Sequence, residues 1–149
     1  MNVKKVIYTA AVVENSAEKD FLKQFAKDPN IYCHHMTVEF GNLDEIPDYV
    51  GQRIEVELED LVIDKDAVLV TVRVLDDVIA VTMINRNQQP HITVSCANGI
   101  KPSYSNDILR RNAWPSVERI CNNFGQRYML TLRLGAYCVF EDGTTGWVF

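Results

Sequence analysis

Two hydrophobic periods alternate along this chain. Residues 3–13, VKKVIYTAAVV, are rich in Val, Ile, Tyr and Thr, which predicts a first strand. The two lysines and short apolar run near the start loosely resemble a signal peptide, but the run stops at Glu14 and is β-branched, so it reads as a strand. From Ser16 the period changes. Phe21, Leu22 and Phe25 fall on one helical face, predicting an amphipathic helix over 16–28 with Ser16 as N-cap, ended by Asp28-Pro29-Asn30. Residues 31–41 return to a strand, stopped at Gly41-Asn42. A hairpin follows: QRIEVELEDLVI at 52–63 alternates with one wet face, 64–66 turns, and AVLVTVRVL at 67–75 runs back. Asp76-Asp77 reads as another turn into a strand, VIAVTMI at 78–84. After the polar loop NRNQQP comes the strand HITVSC, then the turn-rich ANGIKPSYSN. Ser105 or Asn106 is placed to cap a helix through 107–112, and Pro115 to open a second helix over 115–122. The chain ends as a closing hairpin turning at 141–144.

This order predicts one α+β domain over 1–149, with mostly antiparallel sheets and flanking helices. The length allows a real core without disulfide or metal staples. The four cysteines, Cys33, Cys96, Cys121 and Cys138, show no CxxC or zinc-type spacing and read as buried reduced thiols. A net charge of −5 with no long basic run argues against a protein that coats long nucleic acid, while leaving room for a small anionic ligand or a nucleic-acid end. No stretch reaches the ~20 apolar residues of a membrane span. A cytoplasmic location without membrane contact is the resulting expectation; the oligomeric state stays open.

Two strands repeat one pattern. His35-Met36-Thr37-Val38 recurs as His91-Ile92-Thr93-Val94, in a chain with only three histidines. In ordinary composition a histidine starts His–apolar–Thr–apolar on the order of once in a hundred times. On a strand, residues i and i+2 share a face. His35 therefore projects with Thr37, and His91 with Thr93, while the apolar members pack behind. Two imidazoles and two hydroxyls facing one hollow suit phosphodiester cleavage without metal. One neutral ring takes a proton, the other in protonated form gives one, and the hydroxyls bond the non-bridging oxygens. Imidazole fits because its ordinary pKa of about 6.5 lets both forms coexist near neutrality. A single His–x–Thr would read as an ordinary half-buried histidine; two copies favour chemistry. His34 and His35 are adjacent, so an ideal strand points them to opposite faces and they do not share one ion. With no HExxH and no cysteine pair, neither a metal site nor a cofactor is expected. On the same ideal strand Cys33 shares the face of His35, which admits Cys–His chemistry but equally admits packing.

The paired motifs resemble the two signatures of the two-histidine (2H) phosphoesterase superfamily. That superfamily includes the LigT-like RNA 2′,3′-cyclic phosphodiesterases, the cyclic phosphodiesterase domain of tRNA ligases, and phage enzymes that cleave cyclic-oligonucleotide signals. The resemblance implies a fold of two pseudo-equivalent lobes around a central cleft. It further implies metal-independent hydrolysis with His35 and His91 as acid and base, and with Thr37 and Thr93 as phosphate ligands. Its substrates would be 2′,3′-cyclic phosphate RNA ends or small cyclic (oligo)nucleotides. The stretch ANGIKPSYSN is similar to the segment after the second motif in tRNA-ligase-like members. On that basis Lys101 is a candidate for a phosphate or ribose, and Ser103, Ser105 or Asn106 for a base edge; the same stretch also reads as a turn and a helix cap. Tyr8, with Tyr32 or Tyr104, is a candidate to stack on a base. The alternative function is a non-catalytic nucleotide-binding protein, a sponge, using the same hollow.

Overall fold

Strand pairing decides where the two motifs meet. In the computed structural model, which describes residues 2–111, 114, 116–120 and 126–149, the elements follow in order. They are β1 (Val3–Val12), α1 (Ser16–Lys23), β2 (Asn30–Ile31), β3 (His35–Leu43), β4 (Arg53–Ile63) and β5 (Ala67–Val74). Then come α2 (Asp77–Asn85), β6 (His91–Cys96), α3 (Tyr104–Leu109), β7 (Val117–Arg119), β8 (Met129–Phe140) and β9 (Thr145–Val148). The described strands form one open sheet in the order β2-β6-β5-β4-β8-β1-β3, with β7 on β4 and β9 on β8. The pairings are antiparallel, and with three helices among the described residues this is an α+β fold. No helix among the described residues is long and apolar enough to cross a membrane.

β2 and β3 stand at opposite ends of that order yet are neighbours in the chain. The link is Cys33, whose φ of 52° is rare for a residue with a side chain. Before it, the Tyr32 and Cys33 N–H groups donate to the Val94 and Thr93 carbonyls of β6, at 2.9 and 3.0 Å. After it, the His34 carbonyl accepts from Val13 at 2.8 Å, and β3 continues along β1. The chain thus changes partner within two residues and draws the first motif towards the second.

Alternation then sorts the faces. Met36 and Val38 of β3 and Ile92 and Val94 of β6 are fully buried in one core. The same core holds Val68, Val70 and Val72 of β5, Leu22 of α1, and Ile79 and Met83 of α2. Ala67 and Leu69 of β5 face the other way and pack with Ile108 and Leu109 of α3. The polar members of both motifs lie opposite the first core, on the side where α3 sits.

Several expected elements differ. Residue 15, not Ser16, caps α1: the Asn15 side-chain oxygen accepts from the Ala17 and Glu18 N–H groups at 2.8 and 3.2 Å. α1 also stops at Lys23 instead of reaching 28. The Lys27 and Asp28 N–H groups donate instead to Ser95 Oγ on β6, each at 3.3 Å, so tertiary bonds replace helical ones. The expected strand at 78–84 is a helix. Asp76 Oδ1 accepts from the Ile79 N–H at 3.0 Å as its N-cap, and Ile79 and Met83, four apart, supply the buried side. Its far end closes on Asn87, with φ 54°, through Gln88 N–H to the Met83 carbonyl and Asn87 N–H to the Ile84 carbonyl. Those caps override the β-branched content of Val78, Val81 and Ile84, which stay exposed. The helix after the second motif begins at Tyr104, so Ser105 and Asn106 lie inside it and Ser103 precedes it. Residues 117–119, expected as helix, form a strand on β4, while positions 115, 121 and 122 of that expected helix lie outside the described residues. Cys33, Cys96 and Cys138 are buried free thiols; Cys121 is outside the described residues.

Candidate functional site

A cavity of about 270 Å³ opens between the two motifs, near the low end of the ~300–1,000 Å³ range of small-ligand pockets. His35, Thr37, His91 and Thr93 all line it. Tyr8 and Tyr32 line it as well, and so do Ser103 and Asn106. Lys101, Tyr104 and Ser105 do not. Lys101 is exposed outside it. The Tyr104 hydroxyl accepts from Arg111 Nη2 at 2.8 Å. Ser105 is fully buried, behind Thr93.

The second motif is rigidly supported. His91 Nδ1–H donates to the Gln89 carbonyl at 2.7 Å, which leaves Nε2 as the acceptor of the neutral ring. The Thr93 hydroxyl lies 2.8 Å from Ser105 Oγ, fixing its rotamer against α3. Burial lowers the His91 pKa, and the Gln89 carbonyl pulls the other way.

The first motif is built differently. His34 lines the same cavity as His35, correcting the expectation that adjacent residues face apart. Strand geometry starts only at His35, and the left-handed turn at Cys33 swings the preceding residue round. The two Nδ1 atoms are 2.7 Å apart, so one ring donates to the other. Burial, then the neighbouring charges of His34 and His91, push His35 down to about 4 from 6.5. His34 is lowered in the same sense, by burial and then by Lys19. Cys33 is fully buried and does not line the cavity; burial pushes its thiol up to about 11, which keeps it protonated and leaves packing as its use.

Reading the sequence missed His34, Phe40, Gln88 and Pro102 as lining residues. Alternation from His35 and Thr37 points Phe40 to the other face; a register shift in the β1–β3 pairing after Thr37 turns it to the cavity, where it stacks with Tyr8 at 6.1 Å between centroids. Trp147 of β9 also stands against both rings of the first motif, 5.7 Å from His34 and 6.0 Å from His35. Among the lining residues there is no lysine or arginine. Among the described residues no three His, Cys, Asp or Glu side chains are grouped to hold a metal ion.

Compared with protein families, residues 6–126 match the fungal tRNA ligase phosphodiesterase domain. The chain belongs to that family. The family is the cyclic phosphodiesterase domain of tRNA ligase, part of the 2H phosphoesterase superfamily, so the resemblance of the paired motifs holds over most of the chain. The match spans both motifs and everything between them, from β1 to beyond β7. Among curated proteins none matches the chain.

Proposed function

We propose that this chain hydrolyses 2′,3′-cyclic phosphate ends of RNA or small cyclic (oligo)nucleotides, with His35 and His91 as its acid–base pair and without a metal. The observation that carries this reading is the convergence of both His–x–Thr units on one cavity in a member of a cyclic phosphodiesterase family. The two units would belong to two lobes that meet there.

In a cyclic phosphate, His91 Nε2 takes a proton from water because its Nδ1–H is already committed to the Gln89 carbonyl. The water oxygen bonds to phosphorus as one bridging P–O bond breaks. The released ribose oxygen takes a proton from His35. Thr37 and Thr93 donate to the non-bridging oxygens, whose charge grows in the transition state. With no cation among the lining residues, much of that stabilisation falls to hydroxyls and imidazoles. Tyr8, Tyr32, Ser103 and Asn106 offer the ring and amide contacts for a base, and a pocket of this size takes an end or a small cyclic molecule ahead of a long strand.

The test is turnover of 2′,3′-cyclic mononucleotides, cyclic-phosphate RNA ends and cyclic dinucleotides in EDTA. Cleavage of at least one class, undiminished by EDTA, is the expected result. Binding with every ligand recovered intact would favour the sponge reading.

A further inference from the structure

We propose that His34 is a positioning residue for the acid step, sharing one proton with His35 through their Nδ1 atoms and passing it on as His35 protonates the leaving oxygen. The inference rests on the phosphodiesterase reading above and deepens it. Its basis is the pairing of a second imidazole with His35, where His91 instead has a backbone carbonyl.

The rings lie edge to face, with centroids 5.0 Å apart and planes at 87°. At 2.7 Å between Nδ1 atoms, only one of the two nitrogens carries a proton. When His34 donates, neutral His35 is held with its hydrogen on Nε2, the nitrogen that acts on the leaving oxygen. A carbonyl, as at Gln89, enforces the opposite tautomer. The two motifs are therefore preset as donor and acceptor by what stands behind each Nδ1.

Burial, then the charges of His34 and His91, push His35 down to about 4, so a proton held on that ring alone is scarce near neutrality. A neutral imidazole that gave up its only proton would become an imidazolate. The pair removes that obstacle. With one extra proton, His34 carries hydrogens on both nitrogens and His35 on Nε2. The Nε2 proton goes to the leaving oxygen while the His34 Nδ1 proton moves to His35 Nδ1. Both rings end neutral, with the hydrogen bond reversed, and a proton from solvent restores the start. The titratable groups facing the pair are Lys19 of α1, His91 of β6 and the Tyr8 ring of β1. The negative charge of a bound phosphodiester favours the protonated pair against burial and the charge of Lys19.

The test is a nitrogen-detected NMR pH titration of the full chain labelled in histidine, for wild type and His34→Phe, which keeps a ring but removes Nδ1. In wild type, neutral His35 is expected as the Nε2–H tautomer, and His34 and His35 titrate with one shared midpoint. In His34→Phe the His35 tautomer becomes mixed. In parallel, kcat on a 2′,3′-cyclic mononucleotide falls about tenfold or more with KM nearly constant, the pattern of a group acting only in the transition state. Its dependence on the deuterium content of the solvent becomes less curved as one transferring proton is lost. Separate midpoints in wild type, or an unchanged His35 tautomer in the variant, would overturn the proposal. A wild-type chain that cleaves none of these substrates overturns the phosphodiesterase reading, whereas the ring titration decides the proton sharing without any substrate.

Discussion

The two His–x–Thr units are the same in sequence pattern and unlike in their supports. Around His91 and Thr93 the supports are fixed: a backbone carbonyl behind the ring, and a buried serine of α3 behind the hydroxyl. Around His35 the ring leans on a second histidine and an aromatic group, Tyr8 and Trp147, while no described residue hydrogen-bonds the Thr37 hydroxyl. Equal motifs thus give unequal sites, one with a set tautomer and one with a mobile proton. The difference teaches that a repeated motif specifies which side chains share a face, while the residues behind them specify what each can do.

That comparison can be broken most sharply at the threonines. Thr37→Val and Thr93→Val should each lower kcat by about 10²–10³-fold if the hydroxyls stabilise developing charge. Their effects on folding should separate. Thr93→Val leaves fully buried Ser105 without its partner and costs about 1–3 kcal/mol, whereas Thr37→Val leaves stability nearly unchanged. Paired kinetics and denaturant unfolding measure both; equal stability losses would erase the contrast. Ser105→Ala is gentler, costing about 0.5–1.5 kcal/mol, the net worth of one hydrogen bond, and raising the mobility of Thr93 on β6. Loss of the Asp76 cap in Asp76→Ala should cost about 1 kcal/mol, read as a lowered melting temperature, because α2 holds Ile79 and Met83 against the core behind β3 and β6.

Acid should act on both units in one direction. Burial holds His35 at about 4 in the folded chain against 6.5 unfolded, and lowers His34 and His91 too. Between those values the unfolded chain binds more protons, so stability is fully present above about 6.5 and is lost as pH falls through about 4. Unfolding midpoints measured across that window should decline with acidification, and His35→Gln should flatten the decline.

What was legible follows from which rule is local. Strand alternation placed His35 with Thr37 and His91 with Thr93, and turn chemistry placed both hairpins, 52–75 and the closing one. Two things escaped. Val78, Val81 and Ile84 are β-favouring residues on a helix, and only the caps at Asp76 and Asn87 reveal it. His34 escaped because alternation assumes a continuous strand, and nothing in the letters CHH announces the left-handed turn at Cys33. That turn depends on a change of partner from β6 to β1, a tertiary event with no sequence signature of its own.

The central claim is that two distant imidazoles serve one phosphate. The most direct measurement is the pH dependence of kcat/KM on a 2′,3′-cyclic nucleotide for wild type, His35→Ala and His91→Ala. A bell-shaped wild-type profile is expected, each variant should lose one limb, and each should fall about 10²–10⁴-fold. Variants that keep near wild-type rates and both limbs would contradict the account.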